Sequence, residues 1–324
     1  MNDTSAQIRK ALDNISALAT KRNGLPRVLR NLLRNQDSIN SSIHSAVSLQ
    51  AALIDALISV QAAPMDELIS VKEGSRTKES DAWGDAWGEP CYKADGMCNY
   101  YKNMDWIRDP EFVRAYAKGM NSGHKMGRPK GSENDIHIEW RVHMILWAAQ
   151  QAMHFEGDFV ECGVNTGILS LAVCDYLNFD KLGDRKFWLF DTFRGIPEDQ
   201  ASASEMAHAI GANETSYEEC YELAVRNFAP YPNARLVRGK VPESFANVDI
   251  QRVAYLSIDM NIAKPEVAAM EFFWDKLVKG APVVFDDYGW AHCGEQYEAL
   301  NAFARSRGVK IATLPTGQGL LIKP

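Results

Sequence analysis

The stretch Phe159–Gly167, FVECGVNTG, narrows the fold of this chain more than any other. It reads as a buried strand that ends in Glu161 and opens into a turn carrying Gly163 and Gly167. Phe187–Phe193, FWLFDTF, reads as a second buried strand, tipped by Asp191. A strand, a glycine turn, a helix and a second strand with an acid at its tip make a nucleoside-binding half of a doubly wound sheet. Glycines in such a turn let the backbone come close to a ligand where a Cβ would collide. The acid at the second tip can accept hydrogen bonds from both ribose hydroxyls. Neither GxGxxG nor GxxxxGK[ST] occurs. The pattern is E-x-G-x-x-x-G, which suits a ligand without a pyrophosphate.

The 324 residues hold one large α/β domain with an appendage. A net charge of −7 with no basic block argues against a general nucleic-acid binder. The first residues contain no apolar core of a secretory signal, and no run of 18 apolar residues occurs. These features predict a cytoplasmic chain without a membrane span. Cys91, Cys98, Cys162, Cys174, Cys220 and Cys293 form no CxxC pair and read as reduced thiols. Cys91 and Cys98 alone are close enough in sequence to suggest a disulfide or a metal.

Three textures divide the chain. Residues 1–63 contain no aromatic side chain. Their apolar positions step by four and three from Leu25 to Val60, with Gln36 and Gln50 in the seam. That register predicts a helical, coiled-coil segment that joins copies of the chain into a homo-oligomer. A long amphipathic helix packed on its own domain is the other reading. Residues 64–135 interleave Trp83, Trp87, Tyr92, Tyr100, Tyr101, Trp106, Phe112 and Tyr116 with glycine and charge. They predict a lid or acceptor-binding region, or else a plain packed subdomain, with a loop over Gly119–Glu133. Residues 136–324 are the ligand-binding domain. Strands read at Gly157–Glu161, Phe187–Asp191, Ala234–Arg238, Val253–Asp259, Pro282–Asp287, Lys310–Leu314 and Gly319–Ile322, with helices between the first six. The tight PTGQG turn makes the last two an antiparallel hairpin at the sheet edge. The fold class is therefore α/β: a Rossmann-like, seven-stranded class I methyltransferase sheet with an N-terminal helical extension.

Acids end four of these strands: Glu161, Asp191, Asp259, and Asp286 with Asp287. In a doubly wound sheet those tips share one edge. Acids at the end of an apolar run are costly to bury unless something offsets them. Glu161 and Asp191 flank the nucleoside position. Asp259, Asp286 and Asp287 lie across the crevice, where three carboxylates suit Mg²⁺.

From about Trp140 to Pro324 the chain resembles the macrocin O-methyltransferase family of S-adenosylmethionine-dependent enzymes. The segments GDFVECGVNTG, FWLFDTFRGIP, LVRGKVPESF, LSIDMN and VVFDDYG carry the resemblance. It implies methyl transfer to a hydroxyl, often on a sugar, with Mg²⁺ held by Asp259, Asp286 and Asp287. It also implies S-adenosylmethionine contacts from Glu161, Gly163, Asn165, Gly167, Asp191, Thr192, Phe193, Arg238, Gly239 and Asp259. Family members commonly carry D-x-D on the fourth strand; here the triplet is Asp259-Met260-Asn261. Asn261 can orient a hydroxyl but cannot take its proton. The base is then a histidine, with His292 favoured over His143 and His137, or the ion alone acidifies the hydroxyl. The expected function is an S-adenosylmethionine-dependent O-methyltransferase acting on a small-molecule or glycan acceptor. The alternative is a catalytically silent S-adenosylmethionine-binding or scaffold protein that uses its coiled coil.

Overall fold

The computed structural model describes residues 89–126 and 135–324. The heptad segment at 1–63 and the centre of the predicted Gly119–Glu133 loop lie outside these residues. The chain from Trp87 to Pro324 forms one compact unit.

A two-stranded hairpin comes first, β1 (Tyr92–Ala94) and β2 (Met97–Asn99). Helices α1 (Pro110–Met120) and α2 (Glu139–Ala152) follow. Pro110 sits in the first turn of α1, and Asp109 caps it by accepting from the Glu111 N–H at 2.9 Å. The main sheet holds β3 (Asp158–Cys162), β4 (Phe187–Asp191), β5 (Ala234–Arg238), β6 (Val253–Ile258), β7 (Pro282–Phe285), β8 (Ala312–Thr313) and β9 (Gly319–Ile322). Their order is β5-β4-β3-β6-β7-β9-β8, parallel from β5 to β7, with β9 antiparallel to both β7 and β8. This is the seven-stranded sheet with the closing hairpin read from the sequence.

Alternation along the strands explains why both faces are covered. Phe159, Phe187, Leu189 and Tyr255 point into one apolar cluster with α1, α2 and α3 (Ile168–Tyr176). Val160, Cys162, Phe190, Leu256 and Ile258 point into the other, against Met270 and Phe273 of α6 (Ala263–Phe273). A strand apolar on both faces must be sandwiched between helices. Helices α4 (Met206–Thr215) and α5 (Tyr221–Phe228) link β4 to β5, and α7 (Gly294–Ser306) follows β7.

Two expectations need correction. The connection from β5 to β6 holds a single 3-10 segment, Glu243–Asn247, rather than an α-helix. Gly119 and Met120 belong to α1 rather than to a loop. A Cβ on Gly119 would run into the Ile168 carbonyl, so this glycine lets α1 lie tight against α3. Several aromatic residues of the second segment pack in a small core, while Tyr101 is exposed. Trp106 stacks on His143 at 4.1 Å and packs edge-on against Phe112 and Trp140. The Tyr92 hydroxyl donates to Glu139 Oε2 at 2.9 Å. Segment 89–126 thus packs onto the sheet domain, through the first turns of α2.

Among the described residues no helix is long and apolar enough to cross a membrane. Cys91 and Cys98 are exposed free thiols, and the other four cysteines are free and buried.

Candidate functional site

Register puts the acids on one edge. The Gly163 N–H donates to the Phe190 carbonyl, the Asp259 N–H to the Cys162 carbonyl, and the Asp286 N–H to the Ile258 carbonyl. Asp259 and Asp286 therefore directly follow β6 and β7, Asp191 is the last residue of β4, and Glu161 is the last but one of β3, all at the carboxyl end. There a cleft of about 1100 Å³, counting space open to solvent, is lined by Glu161, Gly163, Asn165, Asp191, Thr192, Phe193, Gly239, Asp259, Asn261 and Asp286.

One half of the cleft is built by the glycine turn. Asp191 Oδ2 accepts from the backbone N–H groups of Val164 and Asn165 at 2.6 and 2.7 Å, and Oδ1 from that of Phe193 at 2.6 Å. The carboxylate thus ties the turn after β3 to the turn after β4. Asn165 and Phe193 hold positive φ, 50° and 56°, which aims these N–H groups at one point. The Thr192 hydroxyl donates to the Gly195 carbonyl at 2.6 Å, and the Gly239 N–H to the Asp191 carbonyl. Two more segments brace the turn: the Ser122 and Thr166 hydroxyls share a buried hydrogen bond at 2.8 Å, and Asn227 Nδ2 donates to both of their carbonyls.

The motif glycines serve the protein's own packing. At Gly163, φ +90°, a Cβ would collide with the Asp259 carbonyl; at Gly167, φ +101°, it would strike the Phe228 ring. Chain atoms, rather than the ligand expected there, thus occupy the space that these two glycines leave. Gly167 does not line the cleft, and neither does Arg238, whose guanidinium pairs with Glu219 Oε2 at 2.6 Å over the Tyr221 ring.

Glu161 lies at the floor, wholly buried. Its Oε1 accepts from the Ser170 hydroxyl at 2.8 Å, and its Oε2 has no partner. Burial, with a smaller push from Asp286 and Asp191, raises its carboxyl to about 8.

The other half is lined by Asp259 and Asp286; Asp287, just outside the lining, joins them in a cluster in which each acid offers an oxygen within 4.8 Å of the others. Burial, then Asp286 and Asp287, lifts Asp259 well above the carboxylate range. Burial, then Asp286, lifts Asp287 to about 7 against the pull of Arg141. Among the described residues, neither Asp259 nor Asp287 has an ion pair, whereas Arg141 Nη1 donates to Asp286 Oδ2 at 2.8 Å. Three crowded acids with one shared cation form a donor set of hard oxygens that fits a divalent ion.

Asn261, at φ +63°, carries its amide between two groups. Its Nδ2 donates to Asp259 Oδ1 at 3.1 Å, and its Oδ1 accepts from the Tyr217 hydroxyl at 3.3 Å. Behind it, Glu266 Oε1 accepts from the Met260 N–H and Gln296 Nε2, which fixes the turn after β6. His292 is exposed and does not line the cleft; it lies beside His208 and Trp290, with ring centroids at 6.0 and 6.1 Å. His143 is held in the aromatic core, and His137 faces Glu139 at 3.2 Å. Tyr217 and Arg141 line the cleft and were not read from the sequence. A lone tyrosine in a polar linker and a lone arginine on a helix carry no local pattern.

The profile of the Macrocin-O-methyltransferase (TylF) family matches residues 143–313. A demethyldecarbamoylnovobiocin O-methyltransferase of Streptomyces niveus is 25% identical over 138 residues, 41% of this chain and 53% of that protein. An 8-demethyl-8-(2,3-dimethoxy-alpha-L-rhamnosyl)-tetracenomycin-C 4'-O-methyltransferase of Streptomyces olivaceus is 27% identical over 147 residues, 42% of this chain and 55% of that protein. The chain thus spans about half the length of the curated relatives it matches. The solved structure of the O-methyltransferase NovP superposes with a TM-score of 0.56 at 19% identity, covering 68% of this chain and 99% of that one. That likeness bears on the fold.

Proposed function

We propose a reaction for a chain that belongs to the macrocin O-methyltransferase (TylF) family: transfer of the methyl group of S-adenosylmethionine to a hydroxyl of a sugar or glycan-like acceptor, assisted by Mg²⁺. The observation that carries this reading is the division of one cleft into a glycine-turn half and a three-acid half, with Asp259 at the junction.

In this reading the cofactor lies along Gly163, Asn165, Asp191, Phe193 and Gly239. The orphaned Oε2 of Glu161 and the surrounding acids offer a counterpart to its cationic sulfonium and ammonium groups. Asp191 has its lone pairs partly filled by backbone N–H groups, so it first shapes the turn and then accepts from ribose with what remains. Asp259, Asp286 and Asp287 would hold the divalent ion, which when bound lowers the pKa of an acceptor hydroxyl.

The chain's own residues supply alignment and a proton acceptor. Asn261 holds Asp259 Oδ1, which leaves Oδ2 to accept the proton of the acceptor hydroxyl. Tyr217 keeps the Asn261 amide turned that way. S-adenosylmethionine, when bound, would supply the methyl group and leave as S-adenosylhomocysteine with the electron pair of the broken carbon–sulfur bond, while the attacking hydroxyl would give its proton to Asp259. The products are a methyl ether, S-adenosylhomocysteine and a proton on Asp259. Positioning two reactants this way lowers a barrier by roughly 7–11 kcal/mol in favourable cases. His292, outside the cleft, has no part in this scheme.

The test is labelled S-adenosylmethionine with a panel of glycosides, with and without EDTA. Asp259→Ala should cut transfer by roughly 10²–10⁴-fold while S-adenosylhomocysteine affinity holds. Transfer that survives both EDTA and Asp259→Ala would remove the mechanism. Cofactor binding with no transfer to any acceptor would favour a silent binding protein.

A further inference from the structure

We propose that Asp95, at the tip of the N-terminal hairpin, is a positioning residue for the three-acid cluster and acts through Arg141. The inference rests on the reading above that the cluster holds a divalent ion. Asp95 and Gly96 form the two-residue turn between β1 and β2, with φ of 51° and 71°. Two consecutive positive φ values are what a tight hairpin with the native strand twist requires, and Asp-Gly meets that requirement.

The Asp95 side chain is 9% exposed and receives Arg141 through two parallel bonds, Nε to Oδ2 at 2.8 Å and Nη2 to Oδ1 at 2.9 Å. The third arm, Nη1, donates to Asp286 Oδ2 at 2.8 Å. From the opposite side Gln318 Nε2 donates to Asp286 Oδ1 at 2.9 Å. Both oxygens of Asp286 are thereby fixed in direction, by groups distant in sequence. The hairpin tip is itself seated: Gly96 lies so close to the Trp290 indole that a Cβ would meet it at 3.3 Å. That indole also lies 5.5 Å from the Arg141 guanidinium.

Asp95 has two effects on the cluster, and they share a sign. It aims the guanidinium, because a fork already gripped on two nitrogens cannot turn toward Asp259 or Asp287. It also cancels most of the guanidinium charge, so a cation approaching Asp286 meets a neutral pair instead of a bare positive group. Losing either effect weakens cation binding. Asp95, Arg141 and Gln318 all fall outside residues 143–313, so the family match assigns none of them.

The experiment titrates Mn²⁺ alone into the full chain and reads free ion by electron paramagnetic resonance. Asp95→Asn suits the turn, since asparagine tolerates positive φ; it removes the charge and one acceptor. Mn²⁺ affinity should fall about tenfold, with S-adenosylhomocysteine affinity within about twofold of wild type. Arg141→Lys, which keeps the charge but loses the fork, should show a similar loss. The double variant should lose no more than the worse single one, because both act through one contact. Wild-type Mn²⁺ affinity in Asp95→Asn overturns the proposal, as does an equal loss for Mn²⁺ and S-adenosylhomocysteine. If the wild-type chain binds no Mn²⁺, the ion reading fails and the positioning role with it. If wild type binds and Asp95→Asn is unchanged, only the positioning role fails.

Discussion

The two halves of the cleft treat their carboxylates in opposite ways. In the glycine-turn half, Asp191 accepts from three backbone N–H groups, and the Glu161 oxygen toward Ser170 is hydrogen-bonded. In the three-acid half, Asp259 and Asp287 face Asp286 and each other, with Arg141 committed to Asp286 and Asp95. The first half is preorganised by the chain itself. The second is electrostatically incomplete: burial, then the neighbouring acids, push Asp259 and Asp287 up, while Arg141 stays charged because Asp286 and Asp95 outweigh the burial that opposes its guanidinium. The lesson is that acids gathered on one sheet edge can do different jobs. Some staple loops, and others stand crowded together with a single arginine among them.

The severest way to break the comparison is to part the halves. Gly163→Ala introduces a Cβ into the Asp259 carbonyl at a φ of +90°. It should cost about 3 kcal/mol or more in urea unfolding and should disturb both halves at once. A variant as stable as wild type would show that the joint gives way easily.

Next, on the proposed reading a divalent ion binds the folded cluster only, and it should therefore stabilise the fold. At one hundred times its dissociation constant the gain is about 2.7 kcal/mol, read as a rise in melting temperature that EDTA reverses. Asp287→Asn should remove most of this rise, whereas Asp191→Asn should leave it. Equal loss in both variants would erase the distinction between the halves.

A smaller effect concerns protons. Glu161 holds its proton up to about 8 when folded but releases it near 4.5 when unfolded, and Glu266 behaves alike. The folded state therefore binds more protons between those values, and stability falls as pH rises from about 4.5 to about 8, then levels. Each group contributes a slope of at most about 1.4 kcal/mol per pH unit. Glu161→Gln should flatten its share; an unaltered slope would mean that its charge is relieved elsewhere.

The least effect is expected at the surface. His292→Ala should leave turnover within about twofold, where loss of a true base costs about a hundredfold or more.

How much of this was legible in the chain follows from the range of the interactions. Strand β4 was read to the residue, because FWLFD is an unbroken apolar run with an acid at its end, and β3 within one. The tips Glu161, Asp191, Asp259 and Asp286 were legible for the same reason, and Asp287 as the neighbour of Asp286. Arg141 was not, since its partners lie 46 and 145 residues away and nothing nearby marks them. Gly163 and Gly167 were noticed, but what they make room for, a carbonyl and a phenyl ring of the chain itself, is fixed only by tertiary packing. The aromatic residues at 92–116 were equally ambiguous, because stacking on a ligand and stacking on Trp140 call for the same composition.

The contact of Gly163 on the Asp259 carbonyl has one more consequence. Main chain rests on main chain there, so the spacing between the turns after β3 and β6 is a fixed dimension of the scaffold, and only the Asp259 side chain is left for Asn261 to orient. In the proposed reaction, rim residues can then be exchanged for other acceptors without moving these two strand ends. A catalyst built this way could diversify its substrates by redecorating the doorway while the workbench inside keeps its measurements.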